Sequence, residues 1–464
     1  MPFLPVLLWT DVLLWLLVAA VAGYARHCSR RPHLAAPWAR VFRTRAAMVS
    51  GVVLACFLAA GLADSLHFRP TLEARGQNAP AAHSGEVLSV LDLAFTHLRV
   101  RTEKTYSAPL ATRLHQRETV ELPDGRQVRE YPRLRHGGAH LADEAGAPLD
   151  MLLRAMVGLA VGLLAWIVIG YGAMRPLRRR LPDVPWGAAW GTLGAILALA
   201  GPMLALSQAY HVFGTDKVGQ DVMLQALKSI RTSLVIGTLT TLVLLPLGVL
   251  LGIAAGYFKG WVDDVIQYVY TTLNSIPGVL LIAAAVLMMQ VYIDSHPELF
   301  PTAAHRADLR LLLLCMILGL TSWTGLARLL RGESLKLAEL EYIQAAHAFG
   351  VPHSRVIARH ILPNVSHIVI IALVMDFSGL VLAEAVLSYV GVGVDPSTTS
   401  FGTMINSARL EMSRDPIVWW SLAAAFTFMF TLVLAANLFA DAVRDGFDPR
   451  VRMAARTLSA PGAR

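Results

Sequence analysis

Two groups of residues in this 464-residue chain have types and spacing suited to chemistry, and neither resembles a catalytic set. The first is a polar, helix-prone stretch between long apolar runs. It reads Glu341-Tyr342-Ile343-Gln344-Ala345-Ala346-His347-Ala348-Phe349-Gly350 and continues to Arg359-His360-Ile361-Leu362-Pro363-Asn364. Small side chains at Ala345 and Ala346 let a foreign surface approach, and Gly350, before Val351-Pro352, tolerates the left-handed conformation that closes a helix. Such a segment is expected to be a docking helix. Ala345, Ala346, Phe349 and Gly350 would touch a partner, with Glu341 and Arg355 at the rim, and a second helix would end before Pro363. The second group is Asp376 and Glu384, two acids within one apolar run and on one helical face. Acids are costly in a bilayer, so they mark either a pathway or a buried pair. Asp376, near Gly379 and the close helix packing that glycine suggests, is expected to pair with Arg231 or Arg328. Glu384 is the expected pathway residue.

Motifs for covalent chemistry do not occur. The chain has no Gly-x-x-x-x-Gly-Lys-Ser/Thr phosphate loop, no His-Glu-x-x-His and no Gly-x-Ser-x-Gly, so nucleotide binding by that loop is not expected. Energy would then come from a partner subunit or a gradient. Of His83, His97, His115, His136 and His140, only the last two have i, i+4 spacing, around Gly137-Gly138 in a poor helix context. They are read as surface histidines, with no metal. Cys28, Cys56 and Cys315 offer no disulfide framework and are read as structural filler.

These residues must be positioned by membrane spans. Hydrophobic residues make up 55% and charged residues 16% of the chain, against about 25% charged in soluble domains. A span takes about 20 apolar residues. Segments at 5–25, 47–66, 151–173, 187–208, 233–256, 272–293, 309–327, 367–391 and 418–440 qualify. Arg26, Arg30, Arg31, Arg40, Arg43 and Arg45 follow the first span with no acid among them, which predicts a cytoplasmic loop. Threading from there puts 67–150 outside and Arg175, Arg178, Arg179 and Arg180 inside. The polar segment also falls inside, as does the basic tail with Arg450, Arg452 and Arg456. The N-terminus is then outside, as an uncleaved anchor, because Met1-Pro2-Phe3-Leu4 carries no positive side chain. The net charge of +8 gathers at span ends, so a lipid membrane, not nucleic acid, is its expected partner. Residues 67–150 predict a small α+β unit. Glu86 to Leu98 has the spacing of one helix with a broad apolar face, and Glu118 to Val128 reads as two strands about Asp124-Gly125. A unit of about eighty residues is expected to lean on the membrane part or a partner. Trp419 and Trp420 are expected as interface anchors.

The stretch around Ala345-Ala346 resembles the coupling segment of ABC-transporter permeases: Glu-Ala-Ala, a Gly four residues after the last Ala, and a run ending in Leu-Pro. Gln344 stands where that pattern has Glu. The ending at Arg359–Asn364 resembles the dipeptide/oligopeptide branch. Three further stretches are similar to signatures of the same family. His211-Val212-Phe213-Gly214-Thr215-Asp216-Lys217-Val218-Gly219-Gln220-Asp221 has Gln220 for the usual Arg and is followed by Ser229, Arg231 and Ser233. Gly256-Tyr257-Phe258-Lys259-Gly260-Trp261-Val262-Asp263 departs at Lys259. Asn437-Leu438-Phe439-Ala440-Asp441-Ala442-Val443-Arg444-Asp445-Gly446-Phe447-Asp448-Pro449-Arg450 has Ala440 in place of Gly.

The resemblance implies an all-α polytopic membrane protein. A six-span ABC importer permease core would occupy 187–450, with its coupling loop at 333–364. About three extra spans would precede it (1–66 and 151–186), with the α+β external insertion at 67–150 and a cytoplasmic tail at 451–464. It further implies a permease subunit in a bacterial inner membrane, carrying di- or oligopeptides by alternating access. Its implied partners are a homologous permease, two ATPase subunits that hold the ATP, and an external solute-binding protein that the insertion could touch. Alternatives are import of nickel or another small solute, a gradient-driven secondary transporter, and a membrane-anchored sensor with 67–150 as its input.

Overall fold

A computed structural model of the chain describes residues 3–71, 84–121, 127–296, 298 and 302–447. Among these, nine helices are long and apolar enough to cross a membrane, the number expected from hydropathy. The N-terminal part contains α1 (Trp9–Ser29), α2 (Pro32–Val41) and α3 (Arg45–Asp64). The insertion holds α4 (Val90–Ala94) and α5 (Thr96–Val100), and α6 (Ala147–Ile169), α7 (Arg175–Arg180) and α8 (Trp186–Ser207) follow. The remainder is α9 (Val222–Phe258), α10 (Gly260–Ser275), α11 (Gly278–Ser295), α12 (Ala303–Ser322), α13 (Thr324–Ala338), α14 (Glu341–Ala348), α15 (His353–Val356), α16 (Leu362–Val390), α17 (Phe401–Glu411) and α18 (Trp420–Phe447).

Several boundaries differ from those read off hydropathy, each for a local reason. The fifth span starts at Val222, not 233, because the Asp221 carboxylate caps α9 by accepting from the Met223 N–H. The sixth is two helices. Ile276 before Pro277 is extended (φ −92, ψ 131), as a residue preceding proline tends to be, so α10 ends and α11 begins. Pro363 ends nothing. It has no N–H to give to the preceding turn, and that turn, Ile357–Ile361, is widened to a π-helix. The helix therefore runs from His353 to Val390 without a break.

The core lies around α9. Val235, Ile236 and Leu239 pack on Leu311, Leu314 and Leu318 of α12. On its other flank the backbone comes close to α13: a Cβ at Gly252 would stand 2.7 Å from the Ala327 carbonyl oxygen, and one at Gly256 2.5 Å from that of Arg331. Small residues every fourth position let the two helices approach this far. The α6–α8 pair uses the same device at Gly158 and Gly201.

The insertion is α+β, with details the sequence did not disclose. Strand β1 (Phe3–Val6), from the N-terminus, pairs antiparallel with β2 (His67–Pro70), Phe3 opposite Pro70, and β2 pairs with β3 (Leu88–Ser89). The expected helix from Glu86 to Leu98 is instead β3 followed by α4 and α5. A Ser89–Asp92 capping box starts α4 late, and Phe95 (φ −111, ψ 31) separates the two short helices. β4 (Glu118–Glu121) and β5 (Gln127–Glu130) form the expected hairpin; its Asp124-Gly125 turn lies outside the described residues.

The insertion rests on the core. Tyr106 is buried with Val222, Phe401 and Trp420, and Trp420 donates its indole N–H to the Thr215 carbonyl (3.0 Å). Trp420 is therefore a core residue at 2% exposure; only Trp419 faces outward. Contacts at the far end of α9 gather the opposite loops: Tyr257 beside His347 and His353, Trp38 against Phe447 (ring centroids 5.2 Å), and Arg43 paired with Asp183. The connecting segments thus sort onto two ends of the bundle as the charge pattern required.

Candidate functional site

The coupling segment is built as a helix held on one side and open on the other. In α14, Ile343 is fully buried beside Val356 and Ile361. Gly350 (φ +69) closes the helix: its N–H reaches the His347 carbonyl, and the Val351 N–H reaches that of Ala346. The Tyr257 hydroxyl stands 3.0 Å from His347 Nε2 and 2.9 Å from His353 Nδ1, so it donates to one ring and accepts from the other. Lys259 pairs with Glu339 at the start of the segment, and this holds the Glu339 carboxyl below its ordinary range. Arg331 makes two 2.6 Å hydrogen bonds to Asp263, whose carboxyl is likewise lowered. The Gly256–Asp263 signature is therefore the bracket that fixes α14. Sequence reading found the signature, but not what it holds.

On the open side lie Glu341, Gln344, Ala345, Gly350 and Arg355, all exposed. Phe349 is 86% exposed. Ala346, expected on the docking face, is instead half-buried in the cluster around Ile343, because three residues from a buried position falls on the same side of a helix. Gln344, the departure from the family pattern, turns its amide back to the Glu339 carbonyl (3.3 Å). Pro363 is exposed at the base of α16.

The two intramembrane acids sit in environments opposite to those expected. Glu384 is 1% exposed and accepts from Ser388 Oγ (2.6 Å) and Ser400 Oγ (2.9 Å), at the junction of α16 and α17. Asp376 is half-buried, with no hydrogen bond or ion pair among the described residues. The partners proposed for it are occupied, Arg328 by the Tyr270 ring (5.4 Å) and Arg231 by Asp11. Gly379 has no neighbour within 4 Å of an added Cβ, so close packing does not explain it.

Arg231 sits in a buried polar network. It donates to Asp11 Oδ1 through Nη2 (2.5 Å) and Nε (3.1 Å), and to Thr10 Oγ1 (3.2 Å). Thr10 also bonds Asp308 of α12, and His67 Nδ1 donates to Asp11 Oδ2 (2.7 Å). A signature arginine of the core thus takes its counter-ion from the first extra span. Sequence reading missed Asp11; an acid inside an apolar run was the signal that could have found it.

The Gly214–Asp221 loop is a seat for the insertion. Gly214 (φ +71) and Gly219 (φ +76) adopt left-handed backbone, and an added Cβ would stand 2.4 Å from the Ser107 carbonyl at one and 1.9 Å from that of Glu103 at the other. Thr215 Oγ1 accepts from the Ser107 N–H (2.7 Å), and Asp216 accepts from the Val218 and Gln220 N–H groups. His211 Nδ1 donates to Asp221 (2.7 Å), while its Nε2 lies 3.5 Å from Glu103, an ion-pair distance rather than a hydrogen bond. Burial opposes the charged ring, but the two carboxylates outweigh it and hold His211 at about 9. Burial also opposes charge on Glu103, yet His211 and the N–H groups of Arg135, His136 and Gly137 hold it at about 2.

A histidine raised above its unfolded value stabilises fully below about 6.5, and the contribution is lost as pH rises toward 9. The shift corresponds to about 3 kcal/mol. Protease nicking of the insertion should therefore increase between pH 6.5 and 9. In His211→Gln the nicking should be high and insensitive to pH over that window; an unchanged pH profile would rule out this origin.

Of the closing signature, Asp441, Arg444 and Asp445 are exposed at the end of α18. Asp448 and Pro449 lie outside the described residues. Ala442 and Val443, between the exposed positions, pack against Val41 and Ala47. No cluster of three metal-ligating side chains occurs among the described residues.

Comparison with known proteins agrees with this geometry. The family described as binding-protein-dependent transport system inner membrane component matches residues 248–453. The chain is 30% identical to the dipeptide transport system permease protein DppC of Lactococcus lactis, over 52% of the chain and 64% of that protein. It is 30% identical to the oligopeptide transport system permease protein OppC of Mycobacterium bovis, over 52% of the chain and 77% of that protein. To the glutathione transport system permease protein GsiD of Pectobacterium atrosepticum the identity is 32%, over 52% and 73%.

Proposed function

The chain belongs to the inner-membrane permeases of binding-protein-dependent ABC transport systems, dipeptide/oligopeptide branch, and we propose that it forms half of the pathway of a peptide importer. A homologous permease supplies the other half. Two ATPase subunits bind the ATP and dock on α14, and an external solute-binding protein delivers the cargo. The coupling segment faces the cytoplasm, and the N-terminus and insertion face outside. The names of the related proteins and the coupling geometry support this assignment.

The observation that carries it is mechanical. The inner face of α14 is tied down, its Phe349 end is open, and α15 continues without a break into α16 over 38 residues, a length of about 57 Å. A push on the docking helix is transmitted as a rigid-body tilt of the span that bears Asp376. As the unpaired acid of that span, Asp376 meets the amino terminus of a peptide in the pathway; Glu384 holds α16 to α17.

The test is co-reconstitution with the partner permease, ATPases and binding protein in liposomes, following a labelled oligopeptide. ATP-dependent uptake is expected, and Asp376→Asn should lower it about tenfold, the size of a lost charge-assisted contact, with thermal stability unchanged. Uptake driven by a proton gradient without ATPases would overturn the assignment. Equal uptake by the Asn variant would remove Asp376 from the pathway and leave the rest intact.

A further inference from the structure

Between the extra helices and the core lies a crevice of about 1080 Å³ whose lining does not include the proposed pathway residue Asp376. Leu17 of α1, Val52 of α3, Leu242 of α9, Leu373 of α16 and Phe439 of α18 form its walls. The hydroxyls of Thr238 and Thr241, which also line it, are turned to the carbonyls of Leu234 and Gly237 (2.6 Å each). The walls therefore offer nothing to a polar cargo, and the crevice lies at the depth of the membrane spans, where hydrocarbon chains are the available solvent.

Its polar end is one-sided. Arg43, Asp183 and Trp186 stand there, at the end of the bundle that carries the coupling segment. Asp183 is the one acid within residues 26–45 and 175–186, and Arg43 already pairs with it (2.5 Å). Arg45 opens α3, and Arg178 and Arg179 lie on α7, which leads into the mouth. All three are exposed, and none is paired with an acid among the described residues. An apolar slot between membrane helices, with surplus arginines on the segments that lead into its mouth, matches a lipid with an anionic head group.

We propose that this crevice holds an anionic phospholipid of the leaflet on the coupling side. Its acyl chains lie between α3 and α9, and its phosphate is met by Arg45, Arg178 and Arg179. The lipid fills the seam between the extra spans and the permease core.

The test uses the full chain in nanodiscs containing either phosphatidylglycerol or phosphatidylcholine, each with a photoactivatable diazirine in the acyl chain. Peptides from α3 and α9 should be labelled at least tenfold more by phosphatidylglycerol. The outward face of α6 (Leu153, Val157, Leu164), which is exposed, reports unselective annular lipid in the same sample. Reversing Arg45, Arg178 and Arg179 to Glu should bring α3 and α9 labelling down to the phosphatidylcholine level, since each surface arginine contributes about fivefold in binding. Val52→Trp should abolish that labelling and leave α6 labelled. If Val52→Trp does not fold, the arginine variant decides alone, because its side chains are exposed. Equal labelling by the two lipids, labelling confined to α6, or cross-links from the crevice to another protein subunit would each overturn the proposal.

Discussion

Phe349→Ala is expected to release the ATPase subunits from this permease without loosening the permease itself. The ring is 86% exposed and makes no aromatic contact among the described residues. An aromatic anchor that fills a partner's pocket is worth about 2 kcal/mol or more, roughly a thirtyfold loss of affinity. Affinity capture of the ATPases by the detergent-solubilised chain measures this, with the thermal midpoint of the permease as control. Ile343→Ala should do the reverse. It removes a fully buried side chain beneath the same helix, costing about 2–5 kcal/mol of stability and disturbing docking only through unfolding. Gly350→Trp should also weaken capture, since a side chain at φ +69 is strained by about 1–2 kcal/mol. Capture by Phe349→Ala within twofold of the parent would mean that docking lies elsewhere.

Asp11→Ala should be the most destabilising single change in the first span. It leaves Arg231, 8% exposed, without its nearest counter-charge, and breaking a buried pair from one side costs about 3–5 kcal/mol. Replacing both partners with apolar residues (Asp11→Leu with Arg231→Met) should recover much of the loss, because neither member of the pair is then left without its counter-charge. Thermal denaturation of the four combinations in detergent, followed by size-exclusion chromatography, reads out the coupling. If Asp11→Ala unfolds at the parent's temperature, the first span is an appendage and not a structural part of the core. Because Thr10 and His67 share the network, single-variant costs should not add.

Much of the coupling site was legible in advance because its signals are local. The left-handed turn at Gly350 and the exposed aromatic before it both follow from a few contiguous residues. Ala346 was misplaced because its neighbours alone do not reveal the helix's rotation about its axis. That rotation is set by Val356 and Ile361, which return after the turn. The acids were harder still. Asp376 and Glu384 look alike in sequence, each one ionisable group in an apolar run, and their difference lies entirely in what other helices bring to them.

The sequence by itself determined the number of spans, the two-sided sorting of the loops and the presence of a short exposed helix between two spans. Hydropathy, charge and turn propensity act over short stretches of chain and survive any arrangement of the helices. Only the tertiary structure decided which charges are paired. Arg231 finds Asp11 across 220 residues, Glu384 accepts from Ser400 at the start of the next helix, and Asp376 has no partner among the described residues. The physical reason is that desolvation makes a buried charge depend on whichever partner comes within hydrogen-bond distance, and that choice is set by how the helices pack.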